Sequence, residues 1–309
     1  MTRVRVAVAL VVCVSVASAS FAQAPVNPLW QEQKVKNYLP HMAWPEVRDL
    51  LTRTDMVILP VASLEQHGLH GPIGTDFLSG LERAKLIAQK TDVLVAPILF
   101  PGNSPYHMAF PGTITLPAET IQLVYFQAAQ GLIAHGFKRI LILNSHGGNA
   151  VISRYIADRI NQETAGIAVE LGEAAAPFVA RSTRQEPREF DRHGGVSETS
   201  RSLYLTPNLV NMDAARTTPL TLLPHLEKIL PDVVAGDATA TRVFLAEALK
   251  AESTGKGTST KDMTETGVWS AVDVRTATAE RGREETEASV NAAVAFIERW
   301  KQLRPLGVR

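Results

Sequence analysis

The chain has 309 residues, with 31 Lys+Arg balanced by 31 Asp+Glu, eight His and one Cys. Balanced charge, with no long basic run and no aromatic–basic interleaving, excludes a nucleic-acid partner. An apolar content of 45% is ample for a packed core and excludes a disordered chain.

The first segment reads as a leader. Arg3 and Arg5 make a basic start, Val6 to Val16 form a short apolar stretch, and small residues follow over 17–24. This is a secretory signal over 1–22, with cleavage near Ala22 or Ala24, and the apolar stretch falls short of the roughly 20 residues of a comfortable membrane span. The protein is therefore expected to be periplasmic or secreted, with no membrane attachment after cleavage. Cys13, the only cysteine, lies inside the leader, so the mature chain has no disulfide, no Cys-based zinc site and no Cys nucleophile. Residues 23–309 are read as a single domain.

Within that domain, apolar runs over 56–63, 93–100, 139–144 and 167–174 are continuous rather than alternating, as strands covered on both faces are. Helical spacing over 77–91, 118–136 and 149–166 lies between them, with Gly136 placed as a C-cap. The alternation predicts an α/β fold of three layers, α/β/α, around a mostly parallel sheet, whose ligands sit beyond the carboxyl ends of the strands. An irregular insertion or oligomer-contact region is expected around 213–263. It holds an apolar piece over 218–231, a helix over 240–252 and a polar tract over 253–267 read as a flexible loop. A helix over 280–303 closes the chain.

Four polar residues follow strand-like runs in a way that calls for a metal. Glu65, His67 and Asp76 lie in LPVASLEQHGLHGPIGTD (59–76), and His146 lies in LILNSHGGN (141–149). Glu65 and His67 are two apart, so on extended backbone they share a side. Asp76 returns after a Gly- and Pro-rich loop, well placed to bridge two ions. Two carboxylates and two imidazoles without thiolate suit borderline or hard divalent metals, with zinc, manganese and iron all admissible. Taken singly, each of the four reads better as a capping or loop hydrogen-bonding residue; it is the set that points to metal. Asn149 reads as an N-cap for the helix after it.

These residues resemble the creatinine amidohydrolase (creatininase) family. The block 60–76 resembles P-x-G-S-x-E-Q-H-G-x-H-x-P-x-x-T-D, His107 to Thr113 resembles H-x-x-F-P-G-T, Asn144 to Asn149 resembles N-G-H-G-G-N, and His193 to Ser200 resembles H-A-G-x-x-E-T-S. Gly267-Val268-Trp269 and Ala277 to Gly282 follow the family's closing pattern loosely. The blocks occur in the family's order and span most of 44–300.

The resemblance implies a creatininase-like fold, two divalent metal ions per subunit, and hydrolysis of a non-peptide or cyclic C–N amide bond of a small molecule through a metal-activated water. It also implies a homo-oligomer, commonly a hexamer. Glu65, His67, Asp76 and His146 match metal-ligand positions, and Glu198 matches a position that completes the second metal or, alternatively, is a buried structural carboxylate. His193 matches a proposed proton shuttle, the alternatives being a further ligand or a substrate hydrogen bond; Glu198 is the other candidate proton carrier. His70, His107, Gly147 and Gly148 are placed at the pocket, the two glycines because backbone can approach closely there.

Departures from the family also matter. Leu69, Gly71 and Ser145 stand where the family usually has Pro, Leu and Gly. Creatininase has a ligating Glu where this chain has Gly148, and tryptophans near the fourth block where 175–195 contains none, which argues against creatinine as substrate. A formamide or peptide hydrolase of the same family, or a non-catalytic member that retains metal, are the competing readings.

Overall fold

A computed structural model describes residues 25–30, 34–99, 101–179 and 190–308, so the leader expected over 1–22 and part of the 175–192 loop lie outside the described residues. After α1 (Trp44–Leu51), the core is a four-stranded parallel sheet in the order β2-β1-β3-β4, formed by β1 (Met56–Val61), β2 (Leu94–Val95), β3 (Arg139–Asn144) and β4 (Ile167–Glu170). The connecting helices are α2 (Thr75–Thr91), α3 (Ala118–Ala134) and α4 (Ala150–Glu163). Beyond β4 the chain forms α5 (Leu171–Ala175), β5 (Asp191–His193), α6 (Val196–Leu205), α7 (Pro224–Ala235), α8 (Ala238–Glu247), α9 (Thr260–Met263), β6 (Trp269–Ser270) and α10 (Ala279–Leu303).

The strand pleat builds three layers. Val57, Leu59 and Val61 of β1 and Ile140 and Ile142 of β3 pack on one side against Ile121 and Tyr125 of α3 and Ile152, Ile156 and Ile160 of α4. Met56, Ile58, Leu141 and Leu143 face the other way, onto Ala84 and Ile87 of α2, Leu171 of α5, and Val290, Ala293 and Ile297 of α10. Every β1 side chain is buried, which is why the run carries no polar alternation.

Several elements are shorter than their apolar runs. The run 93–100 pairs only at Leu94–Val95, because Pro97 removes a donor and the chain then leaves the sheet. The run 167–174 is a strand only to Glu170. There the Glu170 carboxylate accepts a hydrogen bond from Glu173 N (2.6 Å) and starts α5.

The region 213–263 is more ordered in kind than its sequence suggests. It carries α7, α8 and α9 and a third apolar cluster, in which Leu226, Val233, Phe244 and Met263 pack on Phe190 and Trp269. The tract read as a flexible loop turns inward: Thr258, Ser259, Thr260, Thr264 and Thr266 are all buried. Ser259 caps α9, accepting from Asp262 N, while the Asp262 carboxylate accepts from Ser259 N. β5 and β6 pair antiparallel, His193 against Trp269.

Candidate metal centre

The register of the sheet brings the first ligand candidates together. Val61 pairs with Asn144, so β1 and β3 end side by side, and the chain runs on to Glu65 and His67 on one and to His146 on the other. The Gly/Pro loop then returns, and Asp76 occupies the first turn of α2. Glu198 lies in the first turn of α6, where its Oε2 accepts a hydrogen bond from Gly194 N (2.7 Å).

The donor atoms converge. Glu65 Oε1 stands 3.2 Å from His146 Nδ1 and 3.5 Å from His193 Nδ1. Asp76 Oδ2 is 3.1 Å from His146 Nδ1, and Asp76 Oδ1 is 3.4 Å from His67 Nε2, which is in turn 3.5 Å from Glu198 Oε2. Three overlapping triads each place one donor atom per residue within 4.8 Å of the others: Glu65, His67 and Asp76; His67, His193 and Glu198; and Glu65, His107 and His193.

Hydrogen bonds behind the imidazoles decide which nitrogen faces the centre. His67 Nδ1–H donates to the Glu65 carbonyl (3.0 Å), which leaves the Nε2 lone pair pointing at the carboxylates. His146 is reversed: its Nε2–H donates to the Asn103 carbonyl (3.0 Å), and Nδ1 faces inward. His193 Nε2–H donates to the Gln66 carbonyl (2.6 Å), again leaving Nδ1 inward. Gln66 itself donates to the Gly267 carbonyl (3.0 Å) and to His107 Nδ1 (3.1 Å), while its Oε1 accepts from Gly68 N (2.9 Å).

The donor set fits a divalent ion. His67 Nε2 and Asp76 Oδ2 are fully buried and make no hydrogen bond with any described residue. Such atoms cost about 1–3 kcal/mol each unless something meets them. Three buried or half-buried carboxylates, Glu65, Asp76 and Glu198, demand positive charge among them. Burial pulls the His67 imidazole down, but Asp76, Glu198 and Glu65 outweigh it and hold it at about 9. For His146 burial again opposes, and Glu65 and Asp76 hold it well above its ordinary value. Burial raises Asp76, yet His67 and His146 hold it well below the usual carboxylate range. His193 and His107 differ: burial pushes both down, with His67 adding to it at His193 and His193 adding to it at His107, which disfavours the charged form of each.

Not every expected residue reaches the cavity. His107 is buried and lines it, stacked on His193 (centroids 4.0 Å apart), with its Nε2 3.6 Å from Glu65. His70 does not line it. His70 lies buried beneath α6, bonded through Nε2 to Thr199 Oγ1 (2.7 Å), and burial and His67 bring its ring down to about 4. Gly147 and Gly148 line a cavity of about 360 Å³ with Tyr106, His193, Leu249 and Trp269. A Cβ at Gly148 would overlap the Asn103 carbonyl and His146 Nε2, which leaves no room for the glutamate that creatininase carries there. Asn149 sits at the start of α4 but does not cap it. Its Oδ1 accepts from Asn103 N (3.0 Å) and its Nδ2 donates to the Ala62 carbonyl (2.9 Å), tying the 102–103 loop to the end of β1.

No individual role for Gln66, Asn103, Tyr106 or Thr260 follows from the motifs. Thr260 Oγ1 lies 2.7 Å from His107 Nδ1, and Tyr106 Oη lies 3.2 Å from His146 Nε2. Gln66 could have been found, since it stands between two of the motif's own ligand positions.

A fold of this kind, with carboxylates and imidazoles gathered past the ends of parallel strands, defines a metallohydrolase. Residues 40–297 match the creatinine amidohydrolase model, and the chain belongs to that family, metal-dependent hydrolases acting on carbon–nitrogen bonds. Among its relatives is the 3-dehydro-scyllo-inosose hydrolase of Thermotoga maritima, 31% identical over 200 residues, covering 62% of this chain and 64% of that protein. The mycofactocin precursor peptide peptidase of Mycolicibacterium smegmatis is 29% identical over 61% of this chain and 77% of its own. The creatinine amidohydrolase of Pseudomonas putida is 28% identical over 60% and 78%. A crystal structure of creatininase superposes with a TM-score of 0.63 at 21% identity, covering 89% of this chain and 99% of that one. Solved forms of creatininase include one described as Zn–Zn type and one as Mn.

Proposed function

We propose that the protein hydrolyses a small non-peptide or cyclic amide, with Glu65, His67, Asp76, His146 and Glu198 as the residues that would hold two divalent ions. Zinc is the first candidate, with manganese or iron as alternatives. The observation that carries this reading is the pair of buried, unbonded donors, His67 Nε2 and Asp76 Oδ2, aimed at the same small volume as Glu65, His146 and Glu198. Divalent ions bound there supply Lewis acidity, lowering the pKa of water and polarising a carbonyl.

The chain's own residues supply the rest. His193 is neutral and held by the Gln66 carbonyl, so Nδ1 is free to take a proton within the cavity and pass it to the departing amide nitrogen, which leaves poorly without one. Glu198, anchored by Gly194 N, holds metal and is the second candidate carrier. Tyr106 places a hydroxyl donor at the cavity wall. Leu245, Ala248, Leu249 and Trp269 add apolar surface to the cavity wall. A cavity of about 360 Å³ lies at the small end of ligand sites, which favours a compact amide over a peptide. Export to the periplasm and a homo-oligomeric state belong to the same proposal, supported by the leader pattern and by the family resemblance.

The test is metal content per subunit of protein purified without chelator, beside Asp76→Ala, followed by a panel of lactams, cyclic ureides, formamides and short peptides. Two ions per subunit, a sharp loss in the variant and turnover of a compact amide support the proposal. Absence of metal after supplementation with zinc or manganese ends it. Turnover of peptides alone transfers the protein to the peptidase reading.

A further inference from the structure

A second cavity, of about 310 Å³, opens on the same centre and is lined by different elements. It shares His146, Gly147 and Glu198 with the first, and its remaining wall comes from α2, from α6 and from Asn144 and Ser145 at the end of β3, with Arg83 and Arg201 among its residues. That wall is almost entirely polar.

Arg83 is the unusual residue in it. Its Nε is fully buried and bonds to no described residue, and among the described residues no carboxylate forms an ion pair with its guanidinium. Burial, and then the neighbouring Arg201 charge, bring it down to about 10, with Asp76 and Glu170 acting the other way at longer range. Glu170 is committed to capping α5. Arg201 is held from behind by Ser197 Oγ (2.7 Å) and Glu285 (3.1 Å), and Glu285 is shared with Arg281 (2.8 Å). Arg83 as a whole is only partly buried and lines the cavity, so its remaining guanidinium donors can meet a ligand there. Its planar fork is the shape that receives a carboxylate through two parallel hydrogen bonds.

We infer that Arg83, supported by Arg201, forms an anion subsite that seats a carboxylate of the substrate beside the scissile bond. The inference rests on the amide-hydrolase reading for its choice of ligand, and it makes the preferred substrate an acidic amide. A carboxylate fits better than a phosphate, because its two coplanar oxygens match the guanidinium fork.

Succinate is the probe, titrated calorimetrically into the metal-loaded protein and into metal-stripped protein, with Arg83→Gln and Arg83→Lys beside the wild type and metal content measured for each. The expected result is saturable binding to the wild type, weakened about tenfold to a hundredfold in Arg83→Gln with metal content unchanged. Arg83→Lys, which keeps charge but loses the fork, should fall between the two, and it serves as the test if the glutamine variant does not fold. The stripped wild type should retain Arg83-dependent binding, which separates this subsite from carboxylate binding to the metal itself. Equal affinity in wild type and variants, or no saturable binding to the wild type, overturns the subsite. Failure of every amide to turn over removes the hydrolase reading while leaving the succinate result intact.

Discussion

At the scale of single residues, the centre depends on groups that never face the cavity. His107 is oriented by Thr260 and Gln66, and Gln66 also fixes the Gly267 carbonyl. Thr260→Val keeps the shape of the side chain and removes its hydroxyl. It should lower turnover about 10-fold or more while metal content and fold are unchanged, read by steady-state kinetics beside metal analysis. His193→Asn should lower kcat far more than it raises KM, since it removes a proton carrier rather than a ligand of the ground state; a change confined to KM would make His193 a binding residue. The gathering of Glu65, His67, Asp76 and His146 was legible in the sequence because the four occur together in two blocks that follow buried strands, although each alone reads as a capping or loop residue. Thr260 and Arg83 were not legible. One sits in a polar tract that reads as solvent-exposed, and the other looks like any arginine on an amphipathic helix; both take their meaning from what the fold places next to them.

At the scale of elements, long buried strands and helices were read well, because continuous apolar runs and 3.6-residue spacing are strong signals. The strand ends were not, since Pro97 and the Glu170 cap stop pairing where hydrophobicity continues. β5 and β6 escaped because strands of three and two residues carry no period at all. The 213–263 region was under-read: its apolar surface is shared with Phe190 and Trp269, which lie outside it in sequence. Phe244 is fully buried there, stacked on Trp269 (centroids 5.8 Å apart). Phe244→Ala should cost about 3–5 kcal/mol in chemical denaturation and change Trp269 fluorescence. The end of α2 offers a pH test. Burial works against the charge of Asp92, but Asn37, Arg53 and Lys36 outweigh it and bring its carboxyl from 3.8 to about 2. A depressed carboxyl contributes stability in full above pH 3.8, and this is lost as pH falls through about 2. Asp92→Asn should therefore be less stable than wild type at neutral pH and converge with it near pH 2, followed by thermal melts across that range.

At the scale of the whole molecule, the centre joins two parts of the chain. Glu65, His67, Asp76 and His146 are carried by the parallel sheet and α2, whereas His193, Glu198 and Thr260 come from the later segment around the third apolar cluster. Metal that binds both parts couples them, so chelation should lower the melting temperature and re-addition of zinc should restore it. Free metal at 100 times its Kd corresponds to about 2.7 kcal/mol. Asp76→Ala should melt at the same temperature with and without zinc. The β5–β6 pairing has a consequence of its own. Only two residue pairs hold His193 opposite Trp269, and alternate side chains on a strand face opposite ways. A slip of a single residue there would put Arg192 beside Glu65 and Glu198 in place of an imidazole, turning a site that attracts cations into one that repels them. The brevity of this ribbon leaves its register weakly held: a molecule can be folded in bulk and still be empty and silent because two residues are out of step.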